Sequence, residues 1–452
     1  MEYDVIIIGA GPAGYVAAIR AGQVGLKTAL IEKKHIGGMC LNWGCIPSKA
    51  VIESGKLYRR ILNDAQTFGV AGIEKEKIYF DWKQARERAN QIVKKLTSGV
   101  AYLLKKNGVE VINGEARITG QNSVTVENRS LTARHIIIAT GSYHEPLKAK
   151  LPEEKVVELD RFFNLDELPQ NIVVVGESSI AVEMAQFFAL IDRKVALLVP
   201  GDRIMPMADE YLAKWMLSKL KKDKVEVIFN AAQMADDSYF EGNSLVVGEY
   251  SLPCDVVINA KLRKGVIPPM DIALEIKDGF IVTNEYFQTS YDNIFAVGDV
   301  NGQSMFAHVG SAQGYHTINF IKGVKEVLDP ARYPLNMYSD PEVAQIGKTE
   351  AQLKEEGIDY KVSEFPLSAN GKAMTEGSTE GFVRILSEKK YGQVLGVQII
   401  SHNATDMIAE AAAFLTIEAT VYDVAQTIHA HPTLSEVFME AGFAAVDKAI
   451  HI

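Results

Sequence analysis

Residues 3–14 read Tyr3-Asp4-Val5-Ile6-Ile7-Ile8-Gly9-Ala10-Gly11-Pro12-Ala13-Gly14. Tyr3 to Ile8 is a largely apolar run of β-forming residues, which predicts a strand buried on both faces, as parallel sheets require. The glycine-rich turn ends it, and Tyr15 to Ala21 predicts a helix. Lys27 to Ile31 predicts a second strand, ending at Glu32, 18 positions past Gly14. Strand, glycine turn, helix, strand and acid together form a dinucleotide-binding βαβ unit. Gly9 is expected to make the tight turn, Gly11 to admit a pyrophosphate, and Gly14 to let helix pack on strand. The helix N-terminus faces the phosphates, and Glu32 is placed to accept hydrogen bonds from a ribose.

Moving outward, the pattern recurs once. Asn171–Val175 predicts a strand, Gly176-Glu177-Ser178-Ser179-Ile180-Ala181 a turn, Val182–Leu190 a helix and Lys194–Val199 a strand. Gly9 to Glu32 and Gly176 to Val199 both span 23 positions. The expected fold is therefore α/β, with two Rossmann-like domains in tandem and a C-terminal α+β domain. The first domain is expected over 1–148 and 267–332, where Asn293–Asp299 predicts a short buried strand ending in an acid. The second is expected as an insertion over 149–266. From 333 to 452 the pattern changes, with strands near Val362–Phe365 and Val394–Ile400 and helices from Asp406 onward.

The chain has 452 residues, 47% hydrophobic and 23% charged, the proportions of an ordinary globular protein. A net charge of −10 gives no general attraction to nucleic acid or anionic lipid. The cluster Lys219, Lys221, Lys222 and Lys224 reads as the solvated end of a helix. No apolar run reaches membrane-spanning length, and Met1-Glu2-Tyr3-Asp4 lacks the basic start of a signal peptide, so the expected compartment is the cytosol. Three cysteines exclude a structural disulfide framework.

Two of the cysteines are close, in Gly37-Gly38-Met39-Cys40-Leu41-Asn42-Trp43-Gly44-Cys45-Ile46-Pro47-Ser48-Lys49. In a regular helix such residues stand about 8–9 Å apart at Cα, beyond the ~7 Å that a disulfide spans. A bridge here needs a distortion, which Gly44 is suited to supply. Pro47 favours a first helical turn, placing Cys45 near a helix N-terminus, where the dipole favours a thiolate. Cys45 is thus expected to be shielded and thiolate-prone, and Cys40 nearer solvent. No further ligands lie at metal-binding spacings. Cys254 reads as a core residue.

This segment resembles the redox motif of the pyridine nucleotide-disulfide oxidoreductases, in particular their dihydrolipoamide dehydrogenase branch. The resemblance extends over the chain. It includes Gly9–Gly14, Ala139-Thr140-Gly141, Val297-Gly298-Asp299, Ala307-His308, and His429-Ala430-His431-Pro432-Thr433-Leu434-Ser435-Glu436. It implies FAD held by Gly9, Gly11, Pro12, Ala13, Gly14, Glu32, Lys33 and Gly38, together with Gly114, Ala139, Thr140, Gly141, Gly298 and Ala307. Asp299 is expected on the ribityl chain. It also implies a Cys40–Cys45 redox disulfide, with Cys40 exchanging with substrate and Cys45 lying against the flavin. Lys49 is expected to pair with Glu183 near the flavin. His431 is expected as catalytic base, oriented by Glu436, working on the partner subunit of a homodimer; His429 and His308 read as structural. A base poised near neutrality suits a thiol substrate, which reacts as thiolate.

The second domain departs from the pattern. Its expected NAD(P) positions are Gly176, Ser178, Ala181 and Val199. Ser178 replaces a glycine, Val199 replaces the ribose-binding acid, and Glu177 puts a carboxylate beside the anion site. Pro200 and Pro206 stand where arginines would read the extra phosphate of NADP, and Ala260-Lys261 stands for Gly-Arg. Two functions follow as expectations. One is oxidation of a protein-bound dihydrolipoyl group through Cys40–Cys45 and FAD, with NAD(P)+ as acceptor. The other keeps FAD and disulfide but exchanges electrons with a redox protein. A non-catalytic flavoprotein is the reading that the intact cysteines and His431 oppose.

Overall fold

The computed structural model of the chain describes residues 1–452. Strand β1 (Tyr3–Ile8) runs into helix α1 (Pro12–Gln23), then β2 (Thr28–Glu32). The helix starts at Pro12, earlier than the apolar periodicity predicts, because proline at a first helical position loses no hydrogen bond and has the required φ. Two helices follow, α2 (Gly38–Asn42) and α3 (Cys45–Asn63), then the long α4 (Trp82–Lys106). Strands β3 (Glu110–Asn113), β4 (Ala116–Gly120), β5 (Ser123–Val126) and β6 (Arg129–Ile138) complete the first sheet. Its order is β3-β2-β1-β6-β5-β4, and the late strand Ile294–Ala296 also pairs with β6. β3, β2, β1, β6 and that late strand run parallel; β4 and β5 add an antiparallel flap.

The chain leaves this domain along β7 (Ser142–His144) and returns along Arg263–Gly265, two segments paired antiparallel. Between them lie β8 (Val156–Glu158), α5 (Leu159–Phe162), β9 (Asn171–Val175), α6 (Ser179–Leu190), β10 (Lys194–Leu198), α7 (Glu210–Lys222) and β11 (Glu226–Ile228). The strands form a parallel sheet, β11-β10-β9 with Val256–Asn259 and then β8. Lys219, Lys221 and Lys222 close α7, as the composition there predicts. Asn293–Asp299 splits into the strand Ile294–Ala296 and a 3-10 turn, Gly298–Asn301. The C-terminal domain is a five-stranded antiparallel sheet, including Tyr360–Pro366 and Val394–Ser401, packed with helices Ala404–Thr416 and Glu436–Val446.

One packing feature positions the chemistry. The largest apolar core joins Ala50, Val51 and Ile52 of α3 to Val182, Phe187 and Phe188 of α6, and continues to Val343 and Ile400 of the third domain. Every residue of α6 from Ala181 to Leu190 is buried. Burial of a large aliphatic or aromatic side chain stabilises by about 1.5–3 kcal/mol, so this junction holds α3 and α6 in one register. Polar residues on so buried a helix need partners. Gln186 exchanges hydrogen bonds with both the N–H and carbonyl of Asp340, and Glu183 is satisfied at the redox pair.

Candidate active site

The backbone around the first glycine turn is constrained by contact. Gly9 has φ +102°, and a Cβ there would lie 2.3 Å from the Ala139 carbonyl oxygen. A Cβ on Gly14 would lie 1.9 Å from the Gly9 oxygen, whereas one on Gly11 would meet open space. That open space lies over the N-terminus of α1, the place a pyrophosphate takes. Gly38 closes on it, with room for no side chain: a Cβ would come 2.7 Å from Gly11 Cα. Glu32 organises the rim, its Oε2 accepting from Ala10 N at 2.7 Å and its Oε1 from Lys34 N at 2.8 Å and His35 N at 3.0 Å. Gly114 N donates to the Glu32 carbonyl, and Lys33 pairs with Glu115 on the surface at 2.7 Å. Gly298 packs on the Ala13 methyl and donates its N–H to Gln313, and Thr140 and Gly141 are tied to Val266. Ala307 opens the helix that follows, and His308 bonds the Pro334 carbonyl at 2.9 Å. A glycine cradle, a helix N-terminus and the strand-end acid Glu32 come together here, and their chemistry fits a dinucleotide.

Cys40 lies in α2, and Cys45 is the first residue of α3. Trp43 and Gly44 break the helix between them; Gly44 takes φ −104°, ψ −112°, and a Cβ there would lie 2.9 Å from the Met39 oxygen. This is the distortion that the spacing requires. Both cysteines are half-buried and carry free thiols hydrogen-bonded to each other. The expected asymmetry exists, but in charge more than in exposure class. The Cys40 hydrogen bond, then Lys49 and Arg263, hold the Cys45 thiol down at about 7 against the opposing effects of burial and Glu183. The hydrogen bond to Cys45, then burial, push Cys40 far above the usual thiol range. Of the two thiols, Cys45 is therefore the one that ionises first, around neutral pH.

Lys49, one turn along α3, reaches Glu183 of α6 at 2.7 Å. Glu183 is 5% exposed and also accepts from Tyr338 N at 2.9 Å. Burial lowers the Lys49 ammonium pKa, but Glu183 and the Cys45 thiolate raise it further, so the cation persists beside the sulfur. Lys49 Nζ also sits over the Tyr338 ring, 4.7 Å from its centroid. Three residues here lie outside the motifs. Arg263 donates to Asp299 Oδ2 at 2.7 Å, to Ser142 Oγ at 3.1 Å and to the Met305 carbonyl at 2.8 Å. Ser142 donates to Asp299 as well. Arg263 thus links both crossing strands to Asp299 and the redox loop. Its basic neighbours Lys261 and Lys264 hide it in sequence, and nothing local marks Ser142 or Tyr338.

The C-terminal pair forms as expected: His431 Nδ1 lies 2.9 Å from Glu436 Oε1. Burial raises the Glu436 carboxyl, but the Thr433 N–H and His431 outweigh it and hold it below the ordinary range. Within this chain no hydrogen bond or ion pair joins His431 to Cys40 or Cys45, and its side chain is 79% exposed. His429 is buried against Glu410 at 2.5 Å. Cys254 is fully buried, and burial pushes its thiol up to about 12.

The second nucleotide fold repeats the first in detail. A Cβ on Gly176 would lie 2.2 Å from the Ala260 oxygen, as Gly9 meets Ala139. Ser178 occupies the position of Gly11 with nearly the same backbone (φ −74°, ψ 173° against −69°, −178°). Its hydroxyl is buried with no partner, a donor free for a phosphate at the α6 N-terminus. Ala181 is buried under the turn, as a third glycine would be. Val199 is 0% exposed, a core residue and not a ligand contact. Lys261 turns toward Asp236, 3.7 Å away, which Lys148 also approaches at 3.1 Å.

Comparison with known proteins places this geometry. Residues 3–314 match the family model described as pyridine nucleotide-disulphide oxidoreductase, and 333–442 match that family's dimerisation domain. The chain is 37% identical to a dihydrolipoyl dehydrogenase of Bacillus subtilis, covering 100% of this chain and 99% of the relative. It is 37% identical to dihydrolipoyl dehydrogenase 1, mitochondrial, of Arabidopsis thaliana, covering 100% and 92%. In fold it is similar to LpdA from Mycobacterium tuberculosis, with TM-score 0.87 at 22% identity over 97% of this chain and 99% of that one. It is also similar to the HOCl-induced flavoprotein disulfide reductase RclA from Escherichia coli, with TM-score 0.85 at 23% identity over 98% and 100%. Carrying a paired-cysteine loop and matched along its length, the chain belongs to the pyridine nucleotide-disulphide oxidoreductase family, and its chemistry is that of an FAD-dependent disulfide oxidoreductase.

Proposed function

We propose that the protein oxidises a protein-bound dihydrolipoyl group, delivering the electron pair through Cys40, Cys45 and FAD to NAD(P)+, as a cytosolic homodimer. The observation that carries the reading is the charge asymmetry of the cysteine pair beside the Lys49–Glu183 bridge. The full-length likeness to dihydrolipoyl dehydrogenases supports the substrate class.

In the oxidised protein, one substrate thiolate attacks Cys40 Sγ; the Cys40–Cys45 bond breaks and Cys45 leaves as thiolate. The second substrate thiol then attacks the mixed disulfide, closing the substrate's own ring and releasing Cys40. His431, reaching across the dimer, takes the substrate proton, and Glu436 stabilises the imidazolium so formed. Lys49 and the α3 N-terminus hold the Cys45 charge. FAD, when bound, supplies the two-electron relay between that thiolate and the nicotinamide. Gly11, Gly38 and the α1 N-terminus would hold its pyrophosphate, Glu32 a ribose and Asp299 the ribityl chain.

A second reading replaces the nicotinamide with a redox protein; Lys261 drawn away to Asp236 favours it. Anaerobic reduction with dihydrolipoamide, NADH and NADPH, followed in the flavin spectrum, separates the two. Reduction by the dithiol and by one nucleotide supports the first, and reduction by the dithiol alone supports the second. Cys45→Ser is expected to remove dithiol turnover altogether; turnover that survives it would sink both.

A further inference from the structure

Superposing the two nucleotide folds by sequence offset pairs Gly9 with Gly176, Ala10 with Glu177, Glu32 with Val199 and Lys34 with Gly201. The backbone bonds agree with this pairing: Gly9 N donates to Ile31 O at 2.8 Å and Gly176 N to Leu198 O at 2.9 Å. In the first fold, Glu32 Oε1 accepts from Lys34 N. In the second, the equivalent donor, Gly201 N, is taken by Glu177 Oε2 at 3.0 Å. The carboxylate of Glu177 therefore sits on the donor that anchors Glu32, although it comes from the opposite side of the cleft. Gly201 makes room for it, since a Cβ there would lie 3.0 Å from Oε2. The Glu177 backbone is pinned too, its carbonyl accepting from Met205 N at 2.6 Å. Oε1 has no hydrogen-bond partner in the chain, and the residue is half-buried, so one oxygen is anchored and the other is left with acceptor capacity to spare.

A strand-end carboxylate in this fold accepts from ribose hydroxyls and repels a 2′-phosphate, which arginine recognises instead. Arg203, the one arginine in the loop after β10, turns its guanidinium to the Pro206 carbonyl. We propose that Glu177 is the ribose-recognising carboxylate of the second domain, displaced from the strand end to the glycine loop, and that it makes the site a receptor for NAD(H) in preference to NADP(H). The inference rests on the nicotinamide reading above and names which dinucleotide that reading uses.

The test is calorimetric titration of the oxidised, FAD-loaded protein with NAD+ and NADP+ separately, with no dithiol present. The parent is expected to bind NAD+ at least tenfold more tightly than NADP+. Glu177→Ala should weaken NAD+ at least tenfold and leave NADP+ unchanged or tighter. Glu177→Gln keeps an acceptor for Gly201 N and removes only the charge, so it should narrow the preference chiefly by tightening NADP+. Flavin content and thermal midpoint, equal in all three, show that the fold is intact. Nucleotide binding with no preference, or a preference unmoved in either variant, would overturn the inference while leaving the nicotinamide reading standing. Binding of neither nucleotide to the parent would overturn both.

Discussion

In the first nucleotide fold the carboxylate stands at the end of β2 and reaches back to the glycine loop, where Glu32 takes Ala10 N. In the second it stands in the glycine loop and reaches forward past the end of β10, where Glu177 takes Gly201 N. The strand end itself is given to Val199, which fills the core. The two halves share φ/ψ values, turn contacts and sheet register, yet the charge enters from opposite walls. What the fold holds constant is a place for a carboxylate beside an exposed N–H, not the sequence position that supplies it.

The comparison breaks most visibly at the turns themselves. Gly9→Val would drive a side chain onto the Ala139 carbonyl, and Gly176→Val onto Ala260. The first is expected to yield protein with at least tenfold less bound flavin by absorbance ratio. The second should keep flavin and its reduction by dithiol while losing nucleotide binding. Equal flavin loss in both would show that the two folds are not separable.

Lys49→Met comes next, because it strands Glu183 at 5% exposure. Breaking a buried ion pair costs about 3–5 kcal/mol, and the partial exposure of Lys49 places this one near 2–3 kcal/mol, readable in urea unfolding. The same variant shifts the Cys45 titration. A thiol held down at about 7 keeps its thiolate above that pH and loses it as pH falls through it. In Lys49→Met the thiolate–flavin absorption of the reduced protein should therefore disappear at a higher pH than in the parent. Arg263→Gln should move it in the same direction by less, since Arg263 is the weaker of the two influences. It should also loosen flavin by releasing Asp299. The smallest effect is expected at Cys254→Ala. Trimming a buried sulfur costs about 1 kcal/mol, and turnover should not change. In the parent, Cys254 should stay silent in thiol titration of the reduced native protein, because it is fully buried and burial pushes its thiol up to about 12.

What was legible in the sequence is what the backbone demands locally. Gly9 and Gly14 are required by backbone contacts that leave no room for a Cβ, so the motif survives as text. The helix start at Cys45 follows from Gly44 and Pro47 in the same way. Arg263, Ser142 and Tyr338 escaped because they reach the site through tertiary contacts, more than 90 positions from the cysteines, where many side chains would satisfy the backbone equally well. Glu177 was read as a liability for an anion because its spacing says nothing of which way its side chain turns. His431 was found by its motif, and its exposed position fits the proposed action on a partner subunit.

The Lys49–Glu183 bridge has a consequence for how such chains diversify. It ties a residue of the redox helix to one inside the inserted segment, so that segment is not a free cassette. A recombined chain that took its 149–266 region from another ancestor would need an acid five residues after the turn position Ser178, on a helix arriving in the same register. Without that acid, Lys49 would stand unpaired beside Cys45, so the seam between the two domains constrains both of its sides at once.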